Sequence, residues 1–206
     1  FALGNNLDIK DAIYFANLAA GVVVGKIGSA TTTLDEIYEY EYSLHKSNST
    51  SHIKTFDEIK TLASKLHNQG KKIVFTNGCF DILHVGHVKY LEVAKSYGDV
   101  LILGLNADSS VRKLKGPTRP INTQDDRAYI LASLESVDYV VIFEEETPYE
   151  LIKLIKPHVL VKGGDYEGKE VVGQDIADEL KLVQFVDGKS TTNTIKRIQE
   201  NEKCNN

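Results

Sequence analysis

The chain has 206 residues, of which 42% are hydrophobic and 26% charged, and carries a formal net charge of −5. These proportions suit one α/β domain plus something small. They exclude nucleic-acid binding by bulk electrostatics, so any anion site must be local.

No apolar run reaches the roughly 18 residues of a membrane helix, and the start of the chain lacks the basic, apolar and cleavage regions of a secretory signal. Two cysteines, Cys79 and Cys204, make no disulfide framework, which points to a reducing cytoplasm. The chain contains no Met and opens Phe1-Ala2-Leu3-Gly4 within what reads as helix. It is expected to be a fragment of a longer protein.

Taken in order, residues 8–20 place Ile9, Ala12, Ile13, Ala16 and Ala20 on one helical face. Val22 to Val24, between Gly21 and Gly25, reads as a short strand or second helix. Thr33-Leu34-Asp35-Glu36 has the form of a capping box before another helix. Polar, short-chained, aperiodic sequence over residues 43–52 reads as linker. The expected division is 1–45, a linker at 46–54, and a domain over 55–203.

A second capping box, Thr55-Phe56-Asp57-Glu58, opens a helix with the stripe Phe56, Ile59, Leu62, Ala63, Leu66, ended by Gly70. Strands are then expected at 72–76, 100–105, 137–143, 159–161 and 182–186. Helices are expected at 85–97, 124–134, from Thr147-Pro148-Tyr149-Glu150 onward, at 174–180 and at 191–199. Near-continuous apolar strands alternating with helices predict an α/β fold, a doubly wound parallel sheet of Rossmann-like type.

In such sheets ligands bind beyond the carboxyl ends of the strands. The strand ending at Thr76 is followed by Asn77-Gly78-Cys79-Phe80-Asp81-Ile82-Leu83-His84-Val85-Gly86-His87 and then a helix. Gly78 and Gly86 permit close backbone approach. His84 and His87, three apart at a helix start, can point the same way. The helix tip adds free N–H groups and partial positive charge, a phosphate site. A zinc reading lacks a third and fourth ligand at suitable spacing. Arg112, Lys113, Lys115 and Arg119 gather without an acid among them, as an anion-binding cluster or a solvated basic loop. Ser190-Thr191-Thr192-Asn193 begins the last helix and holds more hydroxyls than one cap requires. Cys79 reads as a small packing residue.

The pattern Gly78-x-Phe80-Asp81-x-x-His84-x-Gly86-His87 resembles the signature of the nucleotidyltransferase superfamily with the His-x-Gly-His motif, in its cytidylyltransferase-like branch. Val161-Lys-Gly-Gly-Asp-Tyr166, Lys115-Gly-Pro-Thr-Arg-Pro-Ile-Asn122 and Ser190-Thr-Thr-Asn193 resemble the adenylyltransferase half of the bifunctional heptose-7-phosphate kinase/heptose-1-phosphate adenylyltransferase family. Residues 1–45, with Ala19 to Lys26 and Ala30 to Thr33, are similar to the last part of its ribokinase-like half, whose catalytic Asp would lie upstream of Phe1. The resemblance implies transfer of AMP from ATP to D-glycero-β-D-manno-heptose 1-phosphate, giving ADP-heptose and pyrophosphate for lipopolysaccharide core or related glycan synthesis. It also implies phosphorylation of heptose 7-phosphate by the full-length protein.

The same resemblance implies catalytic roles for His84, His87, Lys89 and Arg127. Nucleotide contacts are implied for Asn77, Gly78, Cys79, Phe80, Asp81 and Gly86, for Asn106 and Asp108, for Lys162, Gly163, Gly164 and Asp165, and for Ser190, Thr191 and Thr192. Lys113, Lys115 and Arg119 would meet the substrate phosphate. Mg²⁺ would enter with ATP, without direct protein ligands. A cytoplasmic homodimer acting on small molecules, with neither nucleic acid nor membrane as partner, is expected. Asn193 stands where related transferases carry Lys, leaving positive charge to Lys89, Lys189 or magnesium. The attacking phosphate oxygen is already mostly anionic, its second pKa being about 6. The reaction thus needs alignment and charge neutralisation rather than a strong base. Two other readings stay open: a cytidylyltransferase acting on a small phosphorylated alcohol, and a non-catalytic nucleotide-binding module.

Overall fold

The computed structural model describes Gly4 and residues 8–45, 49–166, 168–184, 191 and 194–195. The chain divides into two units, Phe1–Ser51 and His52–Asn206.

The first unit is a pair of helices, α1 (Ile9–Val24) and α2 (Leu34–His45). Asp8 caps α1, accepting from the backbone N–H of Lys10 at 2.7 Å and Asp11 at 3.0 Å. The capping box at α2 forms: Thr33 N–H donates to Glu36 Oε2 at 2.8 Å, and Glu36 N–H to Thr33 Oγ1 at 3.3 Å. The expected break at Gly21 does not occur, and α1 runs on through Val24. Gly21 answers a packing need instead, because a Cβ there would lie 2.4 Å from Tyr40 Cε1.

The second unit begins with a correction. Residues 53–54, expected within the linker, form a strand, β1 (Ile53–Lys54), and Ser49–His52 make a 3₁₀ turn before it. Pairing with a distant strand decides this: Ile53 sits opposite Val140. Thr55 and Glu58 then cap α3 (Phe56–Asn68) reciprocally. There follow β2 (Ile73–Gly78), α4 (Val85–Lys95), β3 (Val100–Asn106), α5 (Asp108–Lys115), α6 (Gln124–Ala132), β4 (Tyr139–Phe143), α7 (Tyr149–Ile155), β5 (Val159–Gly163) and β6 (Glu179–Val183). Pro148 takes the N-cap position of α7, one residue later than expected for Thr147.

Two elements differ from the sequence reading. Helix α5 was unexpected, since Asp-Ser-Ser-Val-Arg-Lys-Leu-Lys is short and polar. The helix expected at 174–180 is absent. The segment turns at Gly173, whose φ is +86°, and Ile176 and Ala177 N–H both donate to Gly173 O. The chain then enters β6, whose residues pair in parallel with Val159–Gly163. Its start at Glu179 also corrects the strand expected at 182–186.

The six strands are all parallel, in the order β1-β4-β3-β2-β5-β6. Alternate strand residues feed two cores. Val74, Leu101, Leu103, Leu105, Val140 and Val161 pack with α4 and α6 through Leu91, Ala94, Ala128 and Leu131. Ile73, Phe75, Ile102, Val141, Phe143 and Leu160 face α3 and α7 through Ile59, Ala63, Leu151 and Ile155. From β2 the chain winds outward through β3 and β4, then crosses back to β5 on the other side. The crevice between the carboxyl ends of β2 and β5 is therefore the switch point, the favoured ligand position in such sheets. Among the described residues no helix is long and apolar enough to cross a membrane.

Candidate active site

Each wall of that crevice is fixed by local chemistry. The end of β2 carries Asn77 and Gly78. A Cβ on Gly78 would lie 2.9 Å from Phe80 Cε2, so glycine lets the loop fold Phe80 back over the strand. Phe80 itself has a φ of +44°, uncommon for an aromatic residue. It is held by burial, at 8% exposure, and by its edge-on contact with His87, ring centroids 5.2 Å apart.

His84 is the N-cap residue of α4 and makes no side-chain cap hydrogen bond. Its ring stacks on that of His87, with centroids 3.8 Å apart and planes 17° from parallel. Gly86 is buried between them in sequence. His87 has its pKa lowered to about 4, first by burial and then by the charge of His84. Its Nδ1 is buried and, among the described residues, has no hydrogen-bond partner. His87 thus stands uncharged near neutral pH, and both rings lie beside the orphan N–H groups of a helix tip. Such groups can donate to an anion and gain charge once it arrives.

From the opposite strand, Lys162 of β5 reaches Asn77 Oδ1 across the crevice. Its ammonium also lies 5.2 Å from the ring centroid of Tyr166, and Lys162 is only 6% exposed. Gly163 ends β5, and Gly164 to Tyr166 form a 3₁₀ turn. A Cβ on Gly164 would lie 2.7 Å from Gln184 Oε1. Thr191 Oγ1 donates to Ile82 O at 3.3 Å, tying the last described helical residues to the signature loop. Ser190 and Thr192, the neighbouring Lys189 and Asn193, and the side chain of Asp165 lie outside the described residues.

Several residues expected to touch substrate are engaged with one another. Arg127 is 1% exposed. Its Nη1 donates to Cys79 O at 2.6 Å and Asn106 O at 2.9 Å, its Nη2 to Asp108 Oδ1 at 2.7 Å, and its Nε to Asn122 O at 3.1 Å. Arg127 thus ties the loop at Cys79 and Asn122 to the end of β3 and to the Asp108 carboxylate. Asn106 turns its amide to Ser110 Oγ at 3.1 Å. Asp81, 2% exposed, accepts from Arg119 Nε, from Ile121 N–H at 2.7 Å and from Asn122 N–H at 3.1 Å. These bonds brace the loop against residues 119–122. Arg119 meets Asp81 through its Nε, and its side chain stays partly exposed.

Lys113 and Lys115 are exposed on α5. The charge of Lys115 opposes the upward shift that burial imposes on the Cys79 thiol. Lys89 is exposed on α4 and lies two residues beyond His87, about 200° round the helix. Two buried hydroxyls near the crevice, on Thr76 and Tyr90, were not singled out from the sequence, since their pairing joins residues of separate elements. Among the described residues no group of three or more His, Cys, Asp or Glu side chains gathers to hold a metal.

Three similar curated proteins are each named Bifunctional protein HldE. That of Aliarcobacter butzleri is 89% identical over 206 residues, covering all of this chain and 43% of the relative. That of Sulfurimonas denitrificans is 66% identical over 199 residues, 97% of this chain and 42% of the relative. That of a Nitratiruptor species is 64% identical over 199 residues, 97% of this chain and 43% of the relative. The chain thus spans about two-fifths of the length of these relatives. The family model described as cytidylyltransferase-like matches residues 75–205, from within β2 through the whole crevice. With the match taking in every strand end that builds the site, the chain belongs to the cytidylyltransferase-like family.

Proposed function

We propose that this domain transfers AMP from ATP to D-glycero-β-D-manno-heptose 1-phosphate, releasing pyrophosphate and forming ADP-heptose. The observation that carries the reading is the stacked His84–His87 pair at the tip of α4, opposite the buried Lys162. The identity to HldE proteins and the Lys162-Gly-Gly-Asp165 run favour ATP and a heptose phosphate over CTP and a phosphorylated alcohol.

In the reaction a sugar-phosphate oxygen forms a bond to the α-phosphorus of ATP. The bond from that phosphorus to the bridging oxygen breaks, and pyrophosphate leaves with the electron pair. His84, His87 and the α4 N–H groups receive the polyphosphate and donate to it as charge develops on the leaving group. Asn77 and Lys162 hold the strand-end side of the nucleotide, and Arg119, braced by Asp81, meets the acceptor phosphate with Lys113 and Lys115 nearby on α5. No side chain need remove a proton, because the nucleophile is already ionised. The divalent cation, Mg²⁺, enters as part of the nucleotide substrate, bound by its phosphates.

Residues 1–45 are proposed to be the C-terminal part of a ribokinase-like domain, joined through a linker. The longer protein would also phosphorylate heptose 7-phosphate, in the cytoplasm and as a homodimer, to supply lipopolysaccharide core or related glycans. Its partners are small molecules rather than nucleic acid or membrane.

Pyrophosphate release tests this. ATP with the heptose 1-phosphate should support turnover, CTP should not, and His84→Ala combined with His87→Ala should abolish turnover in a folded protein. Turnover with CTP alone, or unchanged turnover in the double variant, overturns the reading.

A further inference from the structure

The ladder between β2 and β5 stops early. Its pairs are Val74–Val159 and Phe75–Leu160, whereas β2 stays paired with β3 as far as Gly78–Leu105. Beyond Phe75 the gap is spanned by side chains. Thr76 Oγ1 donates to Val161 O at 3.0 Å, and one residue further Lys162 meets Asn77.

Thr76 has a second partner, the Tyr90 hydroxyl, 2.7 Å from its Oγ1. A threonine hydroxyl carries one proton. Val161 O has none to give, so it takes that proton, and Tyr90 must be the donor of the other bond. The order is Tyr90 O–H to Thr76 O–H to the Val161 carbonyl. Thr76 is fully buried and Tyr90 is 7% exposed.

Tyr90 follows His87 by three residues and His84 by six. The three lie along one side of α4, drifting about 60° at each step. The neighbouring buried surface of α4 is Leu91 and Ala94. Apolar contacts of that kind are non-directional: they keep a helix on a sheet without setting its rotation. At the far end Lys95 pairs with Asp138. Near the head, the Tyr90 hydroxyl supplies a directional bond one turn from His87.

We infer that Tyr90 is a positioning residue for the transfer reaction. By fastening α4 through Thr76 to β5, it sets the rotation of the helix and so the aim of His84 and His87. The inference rests on the proposed role of those imidazoles at the phosphates.

Tyr90→Phe removes the donor to Thr76 but leaves Thr76 bonded to Val161 O. In the full chain, Tyr90→Phe should lower kcat about tenfold, in line with the cost of a small misplacement of reacting groups, with KM for ATP within about twofold. The imidazole ¹⁵N resonances of His84 and His87 in the unliganded protein should shift, while those of His158, bonded to Ile73 N–H at the other end of β2, should not. Thr76→Val should reproduce the kcat loss, Thr76→Ser should retain activity, and Tyr90→Phe with Thr76→Val should lose no more than Thr76→Val alone.

Wild-type kcat in Tyr90→Phe overturns the inference, as does a lowered kcat with both imidazole signatures unmoved. If the His84→Ala/His87→Ala protein is inactive while Tyr90→Phe is unaltered, the positioning role alone fails. If that double variant retains full turnover, the functional reading falls and the positioning role with it.

Discussion

The rings of His84 and His87 lie face to face, 3.8 Å apart at their centroids. Two imidazolium charges at that distance repel, and burial penalises even one. Both effects hold His87 down to about 4, with burial the larger.

This makes stability depend on pH with a definite sign. The folded-state pKa of His87 lies below the unfolded value of about 6.5, so between these values the unfolded chain binds more protons and stability falls as pH falls. The penalty is absent above the unfolded pKa and complete below about 4. We expect His87 to contribute about 1–2 kcal/mol of this loss, allowing for the partly solvated ring. Urea denaturation at pH 7 and 4.5, in wild type and His87→Asn, should show a smaller pH difference in the variant. Equal differences would contradict the assignment.

Asp81→Asn should destabilise the domain by about 3 kcal/mol. The carboxylate accepts from Arg119 Nε and from two backbone N–H groups with both oxygens. An amide offers one oxygen and turns an NH₂ toward donors. Denaturant titration measures the loss, and a change under about 1 kcal/mol would show that the loop does not depend on this brace.

Arg127→Lys should cost about 2–4 kcal/mol, although the charge is kept. The guanidinium meets acceptors in four directions, on Cys79, Asn106, Asp108 and Asn122, and an ammonium cannot reach them together. Thermal and chemical denaturation should show the loss before any substrate is added. A variant as stable as wild type with only kcat reduced would contradict this structural role and point to a catalytic one.

Two glycines should respond differently to alanine. At Gly98 the new methyl would lie 2.6 Å from the backbone oxygen of Lys72, and a main chain leading into β2 cannot easily yield. A loss of about 1–3 kcal/mol is expected. At Gly164 the clash is with the far end of the Gln184 side chain, which is exposed and can swing away, so the loss should stay under about 1 kcal/mol. Paired melting curves of the two variants check the order.

What the amino-acid sequence settled alone was local or periodic. Apolar runs of β2 to β5 announced a parallel sheet, and the capping boxes at Thr33 and Thr55 marked helix starts, because each depends on neighbours a few residues away. The loop from Asn77 to His87 was legible for the same reason: strand end, glycines, imidazoles and helix tip are contiguous. Tertiary structure decided the rest. That Arg127 and Asp81 brace the site depends on partners 19 to 48 positions away. Residues 174–178 turn rather than wind because β5 offers a pairing edge to the strand that begins at Glu179. Tyr90 meets Thr76 only once α4 lies across β2. Charge and hydroxyl groups have no preferred partner until packing removes water and leaves them one another.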